Sequence, residues 1–473
     1  MGAYYPRLLM NVVEALEQIR TDAAPLARAF EDAGHSLYAV GGSVRDALVG
    51  VTRTGEDYEI DFTTDARPDD IARLMGPLCG TLWEQGRSFG TLGGIVKDGQ
   101  YKAEITTFRS EEYVDHSRKP TVSFGDSLEV DLSRRDFTIN AMALDVINGA
   151  LHDPFGGISD LTARRLRMPH DPERLFSDDP LRMMRAARFA ARFHLEIDPL
   201  IISAATALAD RLAIVSAERI QGELNLLMVT EVPSEGLQFI VDTGLAQHFL
   251  PELPGLALEQ DPIHHHKDVL AHTLAVVDKA SPQLVLRLAA LFHDVGKPRT
   301  RQFTPNGVTF HHHEVVGARM TRKRMEALKY SQDLTDDVST LVDLHLRFHT
   351  YKMGWSDSAV RRYVRDAGHL LDELNELTRC DCTTRNARKA ATLAKRMDEL
   401  ERRIEELRAA EDMSKMRPAL DGNDVMTVLG VAPGRVIGEA LGFLMEIRLN
   451  EGEIDRDDAT ERLLAWWKDR PAS

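Results

Sequence analysis

Val40-Gly41-Gly42-Ser43-Val44-Arg45-Asp46 opens the part of the chain that decides its fold. A short apolar strand, Leu37–Val40, runs into two glycines and a serine, whose small side chains let backbone N–H groups close around an anion such as a triphosphate. A helix from about Val44 to Leu48 leaves this turn, and the dipole at its N-terminus also favours negative charge. The stretch therefore predicts one half of a site for phosphate transfer.

The acidic strand that follows, residues 57–64, predicts the other half. Side chains two apart on a strand point to the same face, so Asp57, Glu59 and Asp61 are expected to lie side by side. Adjacent carboxylates repel each other unless divalent cations lie between them. Glu104, in a further strand predicted within residues 91–109, is either a third carboxylate of this site or an ordinary solvent-facing residue.

The length, hydropathy and net charge of the chain exclude several classes of protein. The 473 residues predict three or four domains, at least one of them helical. No stretch approaches the roughly 18 apolar residues that cross a bilayer, and the first ten residues lack the pattern of a signal peptide, so we expect a cytoplasmic protein without a membrane partner. A formal net charge of −16 argues against a general polyanion binder, so any surface for nucleic acid must be local.

The stretch between Arg164 and Arg192 is a candidate for such a local surface, or alternatively a helix with one solvated basic face. Within it, residues 178–182 (DDPLR) start a helix that places Asp179 and Arg182 on one face. This pair offers an acceptor and a fork of donors, which suits reading the edge of a base, although an i,i+3 ion pair is the simpler interpretation.

Two charged segments separate these patterns. Residues 109–124 are polar and broken by Pro120, which predicts a mobile loop. Arg134-Arg135-Asp136 precedes an apolar helix and either grips a triphosphate and a ribose hydroxyl or is simply a charged helix start. The turn-rich segment from Asp153 to Leu161 is typical of a hinge.

Histidine is concentrated between residues 264 and 349, which contain ten of the 17 in the chain. The pair His293-Asp294 is predicted in an apolar helix, residues 288–295, and further histidines flank it on both sides. Imidazoles and a carboxylate at such spacings favour a site for one or two metal ions over a set of structural histidines. The flanking residues are His264-His265-His266, His272, His311-His312-His313, His345 and His349.

The C-terminal part is predicted to be helical. Leu393, Met397, Leu400, Ile404 and Leu407 recur over about two heptads, which favours packing within the chain over a coiled-coil dimer. A helical hairpin with capped turns is expected over residues 420–438, with Trp466 and Trp467 packed against it.

Four of these motifs, in this order, resemble those of class II tRNA nucleotidyltransferases, the CCA-adding enzymes of the polymerase-β superfamily. They are GGSVRD (residues 41–46) with the acidic strand, RRDFTINA (134–141), the hinge (153–161) and DDPLR (178–182). The histidine region resembles an HD-domain phosphohydrolase. The resemblance implies an α+β fold: a head with a mixed sheet (residues 1–150), then an all-helical neck (151–255), HD body (256–385) and tail (386–473).

The implied activity is template-independent addition of CCA to the 3′ end of tRNA from CTP and ATP. Glu59 and Asp61 would bind Mg²⁺, with Glu104 as base or third ligand. Asp179 and Arg182 would read the bases. The nucleotide site would comprise Gly42, Ser43, Arg45, Arg135, Asp136, Asn140, Asp179, Arg182, Arg185 and Arg188. The HD site would hold a divalent metal of unknown identity on His272, His293, Asp294, His313 and His345.

Several alternatives remain at this point. A relative could add only CC, add only the final A, or polyadenylate RNA; the full length of the 109–124 segment favours CCA or A addition, because CC-adding members have shortened it. The HD region could instead be the working site, with the head impaired, or the chain could bind tRNA without activity. The oligomeric state is not predicted.

One position departs from the family pattern and yields a prediction. The family has Asp-x-Asp, whereas this chain has Glu59-Ile60-Asp61, and the added methylene moves the carboxylate by about 1 Å, which a geometry-limited metal site does not tolerate freely. We expect Asp61→Ala to abolish nucleotide transfer and Glu59→Asp to preserve or raise it, measured as incorporation of labelled nucleotide into tRNA. Full activity of Asp61→Ala would contradict the assignment of the acids.

Overall fold

The computed structural model describes residues 4–52, 55, 58–96, 101–112, 121–125, 127–261, 266–305, 307–350, 355–383, 386–411 and 416–470. These residues form two compact units, 1–249 and 250–473. The first combines a mixed sheet with helices and the second is largely helical, which confirms the predicted fold class. No helix among the described residues is both long enough and apolar enough to cross a membrane. Asp57, His264 and His265 lie outside the described residues.

The first unit begins with a seven-stranded sheet in the order β3-β4-β5-β2-β1-β8-β9. Only the β2–β5 pair of this sheet is parallel, and β6 and β7 form a separate antiparallel pair. The strands are β1 (Leu37–Val40), β2 (Glu59–Thr64), β3 (Cys79–Trp83), β4 (Thr91–Val96), β5 (Lys102–Thr107), β6 (Arg109–Glu112), β7 (Thr121–Phe124), β8 (Ala143–Asp145) and β9 (Leu151–His152). The helices beside them are α1 (Tyr4–Asp32), α2 (Gly42–Leu48), α3 (Pro68–Met75) and α4 (Leu128–Ser133).

The two faces of this sheet differ because the side chains of β2 alternate. Ile60 and Phe62 are buried in the core that α1 and α3 complete, whereas Glu59 is exposed and Asp61 half-buried on the opposite face. Complete burial of a side chain such as Phe62 stabilises the fold by about 1.5–3 kcal/mol. The apolar face therefore anchors the strand that carries the acids.

The segment predicted as a mobile loop is different in the structure. Its two ends, Arg109–Glu112 and Thr121–Phe124, pair as an antiparallel ribbon, so that prediction is wrong at both ends. Polar residues alternate with β-formers there, and backbone pairing outweighs the polar composition. Residues 113–120 lie outside the described part.

Helices dominate the rest of the first unit. Arg134-Arg135-Asp136 is followed by a short 3-10 helix, Thr138–Asn140, rather than by a regular apolar helix. A short parallel pair, β10 with β11, was not predicted. The elements are α5 (Gly157–Thr162), β10 (Arg165–Leu166), α6 (Pro172–Asp178), α7 (Leu181–Phe193), β11 (Glu196–Ile197), α8 (Pro199–Ala207), α9 (Ala217–Met228), α10 (Pro233–Asp242) and α11 (Ala246–Phe249).

The second unit contains two small antiparallel ribbons and eleven α-helices among its described residues. The ribbons are β12 (Glu259–Asp261) with β13 (His266–Asp268), and β14 (Gln302–Thr304) with β15 (Gly307–Thr309). The helices are α12 (Val269–Lys279), α13 (Leu284–Phe292), α14 (Lys297–Thr300), α15 (His313–Ala327), α16 (Gln332–Leu344), α17 (Asp357–Ala367), α18 (Leu371–Asp381), α19 (Ala387–Ala410), α20 (Gly422–Leu429), α21 (Arg435–Glu451) and α22 (Arg456–Lys468).

Helix packing at the C-terminal end follows the sequence pattern. Met397, Leu400, Ile404 and Leu407 of α19 are buried within the unit, which confirms the prediction of intramolecular packing. Asp421 caps α20 through a capping box, and Trp466 stacks on Phe443 with ring centroids 5.4 Å apart.

Two helical glycines give a matched stability test. A Cβ added at Gly236 of α10 would lie 2.6 Å from the Ala187 carbonyl oxygen of α7, whereas a Cβ at the exposed Gly222 of α9 meets no atom within 4 Å. We expect Gly236→Ala to destabilise the first unit by about 1–3 kcal/mol through overpacking. Gly222→Ala should stabilise it by up to about 1 kcal/mol through helix propensity. Thermal unfolding followed by circular dichroism measures both, and shifts of the same sign would contradict the packing.

Candidate active site and metal centre

Three carboxylates meet on the open face of the sheet. Strands β2 and β5 are parallel neighbours, and Asp61 is paired directly with Glu104. Oxygens of Glu59, Asp61 and Glu104 all lie within 4.8 Å of one another, so the predicted third carboxylate does join the other two. Burial and the neighbouring charge of Glu59 both raise the pKa of Glu104. Such a group of oxygen ligands suits a hard divalent cation such as Mg²⁺.

The glycine turn lies directly beside these acids. Gly41 has φ 68°, and a Cβ there would lie 3.2 Å from a guanidinium nitrogen of Arg135 and 3.6 Å from an oxygen of Asp61. The hydroxyl of Ser43 donates to the Glu59 carbonyl over 3.3 Å and accepts from the Asp61 N–H over 3.4 Å. The turn, Arg135 and the acidic strand are thus held together as one site.

Arg45 and Asn140, both predicted to bind nucleotide, are buried in the structure and contact each other. Arg45 is 3% exposed, and its guanidinium donates to Asp46 over 2.6 Å and to the Asn140 side chain over 2.5 Å. It also lies over the ring of Phe193, 4.7 Å from the centroid. Burial lowers the pKa of Arg45. These contacts join α2 to the 3-10 helix and to α7.

Asp136 is buried and surrounded by donors. Its Oδ2 accepts from the Arg185 Nε over 2.7 Å, and its Oδ1 accepts from the Asn140 amide and the Phe137 N–H, each over 2.9 Å. Burial alone would raise the pKa of Asp136, but the charges of Arg185 and Arg182 and the Asn140 hydrogen bond lower it to about 2. Asp136 therefore stays ionised and orients Arg185.

Helix α7 uses part of the arginine-rich stretch for contacts inside the protein. Arg182 and Arg188 are 8% and 7% exposed, so these two arginines belong neither to a free RNA surface nor to a solvated basic face. Arg188 pairs with the buried Glu223 of α9 over 2.6 Å, and Arg192 pairs with Asp46 over 3.2 Å. The arginines of this stretch that remain exposed are Arg164, Arg165, Arg174 and, at the end of α7, Arg192.

Asp179 and Arg182, the predicted base-reading pair, each bind other partners in the structure. Arg182 donates to the carbonyl oxygens of Arg134 over 2.8 Å and Leu175 over 3.3 Å. Asp179 accepts from Arg219 of α9 over 3.0 Å. These two described side chains therefore do not form the simple i,i+3 ion pair. Arg219 and Glu223 were both missed from the sequence, since only packing of α9 against α7 brings them here.

A second cluster lies in the second unit. His272 of α12, His293 and Asp294 just after α13, His313 at the start of α15 and His345 just after α16 converge. The predicted helix over residues 288–295 is thus corrected: it ends at Phe292, His293 is its C-cap residue, and Asp294 follows. The Nε2 atoms of His272 and His293 are 3.2 Å apart, as are those of His313 and His345.

The hydrogen bonds of the Nδ1 atoms show which ring nitrogen of each histidine is available to bind a metal ion. His293, His313 and His345 each donate from Nδ1 to a backbone carbonyl, over 2.8, 2.8 and 2.6 Å. Burial and the neighbouring His293 lower the pKa of His345 to about 3, so this ring is neutral. The Nε2 atoms of these rings then face the centre of the cluster, where a metal ion would bind their lone pairs, an arrangement that is typical of metal-binding histidines.

Asp294 connects the two halves of this cluster. One oxygen lies 3.2 Å from His293 and 3.5 Å from His272, and the other lies 3.4 Å from His313. Asp381, at the end of α18, adds a carboxylate 3.0 Å from His272 and was missed from the sequence. No spacing pattern marks it, because the nearest ligand in sequence is 36 residues away.

The remaining histidines of the region lie elsewhere. His311 and His312 are exposed, and His349 is half-buried beside Phe348. His264 and His265 are outside the described residues, as is the side chain of His266.

Comparison with known proteins places three family models along the chain. They are the poly A polymerase head domain (residues 37–167), the probable RNA and SrmB-binding site of polymerase A (194–256) and the HD domain (263–403). A curated relative from Deinococcus radiodurans, an A-adding tRNA nucleotidyltransferase, is 32% identical over 92% of this chain and 96% of its own length.

Other curated relatives match the chain over a shorter region. A CCA-adding enzyme of Levilactobacillus brevis is 40% identical over 48% of this chain, and one of Streptococcus suis is 39% identical over 50%. The chain spans about half the length of these relatives, 54% and 55%. The fold is also that of the Bacillus stearothermophilus CCA-adding enzyme solved with CTP, at 24% identity, with a TM-score of 0.70 over 95% of this chain and 98% of that one.

The adjacent histidines 312 and 313 give a matched test of the metal centre. His313 is 7% exposed and faces the cluster, whereas the ring of His312 is exposed to solvent. We expect His313→Ala to lower bound transition metal by about 10-fold or more, measured by mass spectrometry after dialysis against Mn²⁺ or Zn²⁺. His312→Ala should retain the wild-type metal content. Equal metal in the two variants would exclude the cluster as a binding site.

Proposed function

This chain belongs to the tRNA nucleotidyltransferase family, and we propose that it adds CMP and AMP to the 3′ end of tRNA without a template. The observation that carries the proposal is the convergence of Glu59, Asp61 and Glu104 beside the glycine turn. The substrates would be tRNA, CTP and ATP, and the reaction would depend on a divalent metal, Mg²⁺ being the ion that these oxygen ligands suit.

Different residues of the head would bind the triphosphate, bind the metal and accept the proton during nucleotide transfer. The backbone of Gly42 and Ser43 would hold the triphosphate, with the guanidinium of Arg135, close to Gly41, balancing its charge. A metal bound by the carboxylates would activate the 3′-hydroxyl and stabilise the leaving pyrophosphate. Glu104, whose pKa is raised, is the carboxylate best suited to accept a proton.

Base selection would come from the region between α6 and α9. Asp179 offers acceptor oxygens and Arg182 offers donors, so together they could imitate the edge of a base. In this proposal Arg185 is oriented by Asp136, while Arg188 is held by Glu223 and braces α7 against α9. The exposed Arg164, Arg165 and Arg174 remain a local surface for the tRNA backbone.

Addition of A alone is a second candidate, favoured by the Deinococcus radiodurans relative that matches nearly the whole chain. The two activities differ in the primer that they extend. An A-adding enzyme requires tRNA that already ends in CC, whereas a CCA-adding enzyme also extends tRNA that lacks all three nucleotides.

The size of the products separates these candidates. tRNA lacking CCA and tRNA ending in CC are each incubated with CTP, ATP or both, and the products are resolved on a sequencing gel. We expect two nucleotides from CTP alone and three from both on the shorter tRNA. Extension of only the CC-ending tRNA, by one nucleotide and from ATP alone, would identify A addition. Asp61→Ala is the inactive control, and no extension by the wild type would refute transfer.

We further propose that the histidine cluster is a phosphohydrolase centre, a second activity rather than the main one. The observation that supports this second proposal is that four histidine Nε2 atoms point inward around Asp294. A bound metal would activate water against a phosphoester such as a 2′,3′-cyclic phosphate. Lys297, 2.6 Å from Asp294, adds a positive charge beside the cluster. The His313→Ala and His312→Ala pair tests it, since hydrolysis should fail only in the first.

A further inference from the structure

A single row of residues crosses the sheet at the level of the catalytic acids. Trp83 of β3 is paired with Gly93 of β4, Gly93 with Glu104 of β5, and Glu104 with Asp61 of β2. Residues paired across neighbouring strands point to the same face of a sheet. Trp83 and Glu104 therefore share the open face, with only a glycine between them.

Gly93 is required for space rather than for its backbone conformation. A Cβ at this position would lie 2.1 Å from Nε1 of Trp83 and 2.2 Å from Cε2, well inside contact distance. The indole thus covers Gly93 with the edge that carries its N–H. Gly93 is buried by this contact although it lies on the open face.

The indole is a suitable support for a metal-binding carboxylate. The indole N–H lies over Gly93, the residue paired with Glu104, and donates a hydrogen bond to the Glu104 carboxylate. An indole N–H is a donor only, so it holds a carboxylate oxygen in one orientation. Unlike an arginine or a lysine, it adds no positive charge that would repel a cation from the site.

We propose that Trp83 is the positioning residue for Glu104. Its N–H, carried across Gly93, holds one carboxylate oxygen and leaves the other facing Glu59 and Asp61. The inference rests on the proposed function, in that Glu104 is taken to be a ligand or base at the metal site. Carboxylate ligands of metals are commonly oriented by such outer hydrogen bonds.

Two variants separate this role from simple packing. Trp83→Phe keeps an aromatic ring over Gly93 but removes the donor, and Gly93→Ala displaces the indole while leaving Trp83 in the chain. Tyr101→Phe is the matched control: it removes a polar group directly before β5, and the Tyr101 hydroxyl has no hydrogen-bond partner among the described residues.

The measurement is Mn²⁺ binding by electron paramagnetic resonance, with the full chain carrying Asp294→Ala in every protein so that the histidine cluster contributes little bound Mn²⁺. We expect Trp83→Phe and Gly93→Ala to weaken Mn²⁺ binding about 10-fold, with Tyr101→Phe unchanged. In the transfer assay kcat should fall by a similar factor, while KM for CTP and ATP stays at the wild-type value.

Wild-type Mn²⁺ affinity and wild-type kcat in Trp83→Phe would overturn the proposal, as would Mn²⁺ binding that Asp61→Ala does not reduce. Circular dichroism checks that Trp83→Phe is folded. If the wild type transfers no nucleotide, the proposed function fails, but the Mn²⁺ titration still decides whether Trp83 supports the carboxylate site.

Discussion

The parallel pairing of β2 with β5 is the constraint on which the site depends. It places Asp61 directly opposite Glu104 and leaves Glu59 one step along the same face. Burial and the neighbouring charge of Glu59 raise the pKa of Glu104, so the arrangement is unfavourable unless a cation compensates it. The opposite face of the same strands, with Ile60, Phe62 and Ile105, is packed into the core and supplies the stability that holds the acids together.

Buried charges connect this sheet to the helices that follow it. Asp46, Asp136 and Glu223 are all nearly inaccessible, and each is matched by an arginine of α7. Removing one partner from a buried ion pair typically costs about 3–5 kcal/mol, because the other charge remains without compensation. The network therefore fixes α7 relative to the glycine turn, which keeps the base-reading candidates Asp179 and Arg182 in register with the acids. The arginines of α7 therefore serve mainly to pair with buried acids of the protein itself.

The histidine cluster depends on a different interaction. Backbone carbonyls one turn earlier accept the Nδ1–H of three imidazoles and so select the tautomer that presents Nε2. Because His293 and His345 directly follow helices and His313 begins one, helix termini decide where the rings meet. Asp294 is the only carboxylate among the described residues that appears in both ligand groups, so it couples any ions bound there.

The sequence by itself determined the local features of this protein: the strand and glycine turn at residues 37–46, the alternation of Glu59 and Asp61, the capped helices and the concentration of histidines around His293-Asp294. These follow from period, size and charge within a few residues. Only the tertiary structure decided that Glu104 joins the other acids, that Arg45 and Arg188 are interior, and that Asp381, Arg219 and Trp83 belong beside the sites. Those facts depend on strand order and helix packing between residues far apart in sequence, which no local pattern encodes.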